Sequence, residues 1–252
     1  TGSFGAALPA GMALVTIGVS AALAHILPSR LSPGLALPFG LFLIVILAVP
    51  MNLGDPATAL SFARFHDRIG WVALAGLLVL YLPPREGREV RIWLDASCAA
   101  GLTLLMLYTK ASYGLVALVF LLFLLTDPRQ WRRAALALAL VAAAIAALEL
   151  VRGGSAAYLH DVLSGFVEGG ARVRTPLQLF ELFLANLADY LLLGLIAGLL
   201  FWRRFEPRDL VFVLFCGASA FWLLSQNDQR WGMLAMHAAA VVVAERLLRD
   251  MA

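Results

Sequence analysis

Apolar residues in this chain come in long runs separated by short polar or proline-containing turns, without the period-2 alternation of barrel strands. A window of about 19 residues predicts nine membrane-spanning helices, at roughly 5–27, 34–52, 68–83, 92–109, 111–126, 133–151, 177–202, 208–225 and 230–247. Four boundaries carry proline, at 27–30, 82–85, 127–129 and 206–208, where a helix loses a donor and the preceding residue disfavours helix. An open sheet cannot satisfy its backbone in lipid. The expected fold is an all-α integral membrane protein, a polytopic bundle of about nine transmembrane helices forming one domain over residues 1–252.

Composition strengthens this picture. Hydrophobic residues make up 62% of the chain and charged ones 14%, against roughly 45–50% and about 25% in a soluble domain. The apolar excess covers the whole length, so the net charge of +3 points to headgroups of a lipid bilayer and not to nucleic acid. Cys98 and Cys216 both fall inside apolar runs and read as buried small hydrophobes, with no disulfide or metal spacing.

Charge also orients the chain. Assigning alternate loops to opposite sides puts Arg30, Arg85, Arg88, Arg91, Arg129, Arg132, Arg133, Arg203, Arg204, Arg208, Arg246 and Arg249 on one side. Arg64, Arg68, Lys110, Arg152, Arg172, Arg174 and Arg230 fall on the other. The richer side is expected in the cytoplasm of a bacterial inner membrane, with the C-terminus, leaving Thr1 outside. Nine spans with an outside start fit a chain whose first helices lie upstream. The two longest connections, 53–67 and 152–176, then face outward, and each holds an amphipathic stretch suited to a short interfacial helix, 56–66 and 158–166.

Lys110, the single lysine, lies between two apolar runs in Tyr108-Thr-Lys-Ala-Ser-Tyr-Gly114. A cation there needs water, a lipid phosphate or a counter-ion. The same face collects Arg64, His66, Asp67 and Arg68 at the entry to span three, Tyr113, His160 and Asp161, Arg172 and Arg174, and Gln226, Asn227 and Arg230. Converging, these would form a cavity for a phosphate-bearing lipid, with cations on its oxygens and an acid or histidine moving a proton. Each has a plainer reading: arginines and Lys110 snorkelling to headgroups, His66 and Asp67 capping span three, residues 226–230 forming a solvated turn.

Asp95, Glu149, Glu181 and Asp189 read as structural, Glu149 pairing with Arg152 and Glu181 sharing one face of span seven with Asp189. A carboxylate in a membrane helix also keeps a proton or ion pathway open. His25 and His237 read as satisfied core histidines. Nucleotide, haem, zinc-protease and serine-hydrolase motifs are absent, so no cofactor is implied, and a divalent metal is left open.

Three stretches resemble bacterial membrane glycosyltransferases of the GT-C type: Ala59-Leu-Ser-Phe-Ala-Arg-Phe-His-Asp-Arg-Ile-Gly-Trp71, Tyr108-Thr-Lys-Ala-Ser-Tyr-Gly-Leu-Val116 and Ser225-Gln-Asn-Asp-Gln229. The resemblance covers roughly residues 50–230 in order and spacing, with His66-Asp67-Arg68-Ile-Gly-Trp71 in the place of a Tyr-Asn-Arg-x-Gly-Trp pattern. It implies transfer of a sugar from a polyprenyl-phosphate donor on the periplasmic face. The acid usual after the first span of such enzymes has no counterpart here; Asp55 and Asp67 are the nearest substitutes. The resemblance casts Asp67 as base or metal contact and Lys110 and Arg68 as phosphate binders. Two other readings stand beside it: a non-catalytic subunit packed against membrane-protein partners, suited by the Ala, Gly and Leu content, and a transporter of lipid-linked material.

Overall fold

A computed structural model describes residues 4–49, 62–87, 91–167, 175–226 and 233–251. These fold into helices α1 (Phe4–Arg30), α2 (Pro33–Ala48), α3 (Phe62–Val79), α4 (Ile92–Thr109), α5 (Ala111–Leu125), α6 (Trp131–Arg152), α7 (Ser155–Val167), α8 (Pro176–Ala185), α9 (Leu187–Arg203), α10 (Pro207–Ser225) and α11 (Leu234–Met251), with no strand among the described residues.

The centre of the bundle is α3. From Ile69 to Leu82 every residue is buried, as a helix apolar on all sides requires. α1, α2, α4, α5 and α11 pack around it. Side-chain contacts fix the two ends of the bundle. Asp67, early in α3, meets Lys110 between α4 and α5. Beyond the other end of α3, the Tyr81 hydroxyl donates to Asp209 at the start of α10, and the Gln130 amide donates to the Tyr81 carbonyl. α4 therefore runs from an arginine-rich end to the Lys110 end, α5 returns, and α6 runs back again.

Close approach at the Lys110 end depends on two glycines. A Cβ on Gly70 would lie 2.8 Å from the Tyr113 ring, and one on Gly114 would lie 2.6 Å from the Leu107 Cα. Only a bare backbone lets α5 fold back on α4 after one extended residue, Lys110 (φ −156°, ψ 102°).

The membrane reading holds in its coarser form; nine spans do not. Four described helices are long and apolar enough to cross a bilayer: Ala10–Arg30, Ile92–Thr109, Trp131–Arg152 and Pro207–Ser225. Counting α8 with α9 as one broken element makes five. The other expected spans fail for physical reasons. α5, with 15 residues, is about 22 Å long at 1.5 Å per residue, short of the ≈ 30 Å apolar layer. α2 has 16 residues. α3 carries Arg64, Asp67 and Arg68 within its first turns, and α11 carries Glu245, Arg246, Arg249 and Asp250 in its last.

The expected span at 177–202 is bent by 62° between α8 and α9. Asn186 sits at the break, its side chain donating to the Leu182 carbonyl at 2.8 Å, so Glu181 and Asp189 do not share the face of one straight helix. α8 itself starts on a capping box: Gln178 N donates to Thr175 Oγ1 at 3.3 Å, and Thr175 N donates back to Gln178 Oε1 at 2.9 Å, with Pro176 in the first turn. Pro28 does not end α1 as expected; Leu31 N still bonds to the Leu27 carbonyl at 2.8 Å. Proline forgoes only its own donor, and the chain turns after Arg30.

Candidate functional site at the Lys110 end

Lys110 closes α4, its backbone N–H donating to the Met106 carbonyl at 2.9 Å, and its own carbonyl accepts from Tyr113 N at 3.0 Å as α5 begins. The side chain reaches across to α3 and bonds the Asp67 carboxylate. Asp67 is buried at 5% exposure, while the lysine side chain keeps 27%. So the ammonium is the accessible half of the pair. Its Nζ lies 5.6 Å from the Tyr113 ring centroid, within cation–π range. Arg68 follows Asp67 and holds its guanidinium 4.8 Å from the Trp71 ring. Tyr158 of α7 donates to the Leu107 carbonyl at 2.5 Å, and its ring lies 5.7 Å from that of Tyr108, which brings α7 against the α4–α5 reversal.

Three of the sequence-predicted site residues are thus drawn together, Asp67, Lys110 and Tyr113, and Arg68 adjoins them as the residue after Asp67. Arg64 lies half-buried one turn before Arg68, and His66 points to the exterior. The alternative in which Asp67 caps span three falls away, because α3 already begins at Phe62 and places Asp67 in its second turn. The amphipathic stretch expected at 56–66 does not form a helix separate from span three where it is described: residues 62–66 are the start of α3. Its counterpart at 158–166 falls within α7, as expected. Gln226 is exposed at the end of α10, its backbone N–H bonded to the Leu224 carbonyl. Asp55, Arg172, Arg174, Asn227 and Arg230 lie outside the described residues. Among the described residues, no group of three or more His, Cys, Asp or Glu side chains is gathered as a metal would require.

In the half of α10 nearer this end, α8, α9 and α10 frame an open apolar groove of about 380 Å³ beside the helix break. Leu179, Phe180, Phe183, Tyr190 and Phe221 line it, with Gly217 at its floor.

The opposite end holds a set of buried charges that the sequence reading passed over. Asp95, 1% exposed, accepts from Arg30, itself 1% exposed, lies 3.5 Å from Arg133 Nη1, and sits 2.9 Å from His25 Nε2. A cavity of about 20 Å³ beside it is bounded by Arg30, Asp95, Gln130 and Arg133. That is room for about one water. A second cluster joins Arg246 to Asp209 at 2.9 Å and to Glu206 at 2.7 Å, and Arg208 to Asp127. Arg208 also lies over the rings of Tyr81 and Phe123 at 5.1 and 5.2 Å. Arg249 ties the clusters together, donating to Glu245, to the Pro83 carbonyl and to the Arg30 carbonyl. One signal was available. Asp95 is the single charge in its apolar run, and an acid so placed demands a cation.

No protein-family model, no curated protein and no solved structure matches this chain.

Proposed function

We propose that this membrane protein acts on a polyprenyl-phosphate-linked sugar at its Lys110 end, as the resemblance of its short motifs to GT-C enzymes implies. The observation that supports this is the Asp67–Lys110 pair, with its lysine accessible and its acid buried. The phosphodiester of the donor offers Lys110 and Arg68 one negative charge, and the polyprenyl phosphate monoester released from it offers a second. As the ammonium turns to the phosphate, the Asp67 carboxylate loses its counter-ion and becomes the stronger base. In the transfer step an acceptor hydroxyl attacks the anomeric carbon, Asp67 takes its proton, and the polyprenyl phosphate leaves with its charge held by Lys110 and Arg68. The apolar groove beside Asn186 suits the isoprenoid chain. The sorting of arginines, read by the positive-inside rule, supports a location of this end outside the cytoplasm.

The same ion pair favours a second reading, a non-catalytic subunit, in which a lysine already neutralised within its own chain locks α3 to the α4–α5 reversal. Native mass spectrometry separates the two. Purified protein should retain a polyprenyl phosphate, and Lys110→Ala should retain at least about tenfold less, the loss of one charge-assisted contact. Asp67→Asn should bind and fail to transfer. Equal retention by wild type and Lys110→Ala would leave the lysine a structural lock and the subunit reading in its place.

A further inference from the structure

The arginine-rich end segregates its charges by sign. Its acids are turned inward: Asp95, Asp127, Asp209 and Glu245 are 1%, 9%, 1% and 2% exposed. Each is bound there by an arginine, Asp95 by Arg30, Asp127 by Arg208, Asp209 by Arg246 and Glu245 by Arg249. Arg91, Arg129, Arg132 and Arg203 are left on the exterior, and among the described residues none of their guanidiniums is paired with an acid, Arg129 meeting Asp127 through its backbone N–H alone. The exposed acids described at this end are Glu86 and Asp250, and Asp250 is held 3.5 Å from Arg204.

Three tryptophans stand beside the outward arginines. Trp93 is 68% exposed, Trp131 47% and Trp202 91%. They flank Arg91 at the start of α4, Arg132 at the start of α6 and Arg203 at the end of α9. Arg132 lies 5.5 Å over the ring of Trp131. An indole gains by burial, so three left outside on three helices need a surrounding that is apolar on one side and wet on the other. A bilayer interface provides that. The adjacent uncompensated guanidiniums, which bind phosphate oxygens in a planar fork, specify its charge.

From this segregation we infer that the collar formed by Arg91, Trp93, Arg129, Trp131, Arg132, Trp202 and Arg203 binds anionic phospholipid headgroups selectively. The inward acids serve the same end, since each one removed from the surface deletes a group that would repel the phosphate. The inference is independent of what the Lys110 end does.

The test uses the whole chain, with phosphatidylglycerol and phosphatidylcholine of matched acyl chains offered together and retained lipids counted by native mass spectrometry. Wild type should prefer phosphatidylglycerol. Arg91→Gln, Arg132→Gln and Arg203→Gln should each lower that preference about fivefold, the worth of one interfacial cation. The triple Lys variant should keep most of it. A triple Gln variant with the wild-type preference would overturn the inference. Should that variant fail to fold, quenching of the tryptophans by brominated lipid in the wild-type protein decides. Stronger quenching by the phosphatidylglycerol form is expected, and equal quenching by the two forms would overturn it.

Discussion

The two ends of this bundle solve the problem of a buried carboxylate differently. At the arginine-rich end Asp95 is enclosed by Arg30, Arg133 and His25, so that losing one contact leaves others. At the Lys110 end Asp67 meets a side chain that is itself partly open to the exterior. The first arrangement is over-determined and holds α1, α4 and α6 in register. The second leaves its lysine partly open to the exterior, where the first closes its arginine off.

The sharpest way to break this comparison is to remove the acid from each end. Asp95→Ala leaves Arg30 buried with its charge uncompensated, a loss expected to cost about 3–5 kcal/mol. Asp67→Ala leaves Lys110 able to reach the exterior and should cost clearly less. Unfolding temperature and monodisperse yield in detergent report both variants. Equal losses would mean that Asp67 belongs to the scaffold too, and the contrast between the ends would fail.

Much of this architecture was legible in the chain, and the misses have particular causes. Apolar runs located α1, α4, α6 and α10 to within about three residues at each end, although α1 runs on through Pro28. The number of spans was overread because a run's hydropathy says nothing of whether lipid or protein surrounds it. α3 is as apolar as a span from Ile69 on, yet it is sheathed by other helices. The break at Asn186 is hidden, since one amide within Leu184-Ala-Asn-Leu187 barely dents an apolar average. Lys110 and Asp67 were each conspicuous, but 43 residues separate them, and only the fold makes them partners. Asp95 stands out equally well in the sequence, but its meeting with His25 and Arg30 of α1 and Arg133 of α6 is a tertiary fact.

A smaller effect probes how tightly the Lys110 reversal is built. Gly114 lies within α5, where alanine is the better helix former by about 1 kcal/mol. Propensity alone therefore predicts that Gly114→Ala stabilises. The Leu107 backbone, 2.6 Å from the added Cβ, cannot yield as a flexible side chain would. A net loss of about 1–3 kcal/mol is expected, together with weakening of the Asp67–Lys110 contact. Thermal unfolding settles the sign. A stabilised variant would show the reversal to be looser than the packing implies.

The smallest effect expected is a pH dependence confined to the loops of the arginine-rich end. Burial pushes the Asp127 carboxyl up, but the Arg129 N–H and the Arg208 guanidinium outweigh it and hold the group below its ordinary value. Burial likewise opposes ionisation of Glu206, and Arg246 and Arg204 more than offset it. A carboxyl depressed in the folded state adds stability that is fully present above the unfolded value, about 4, and is lost as pH falls toward the folded one. The unfolding temperature should accordingly be level from about pH 8 to about pH 5 and decline below about pH 4. Arg208→Gln removes the main cation facing Asp127 and should flatten that decline, whereas Lys110→Ala should leave it as it is. A decline flattened by Lys110→Ala and kept by Arg208→Gln would place the acid-sensitive contacts at the other end of the molecule.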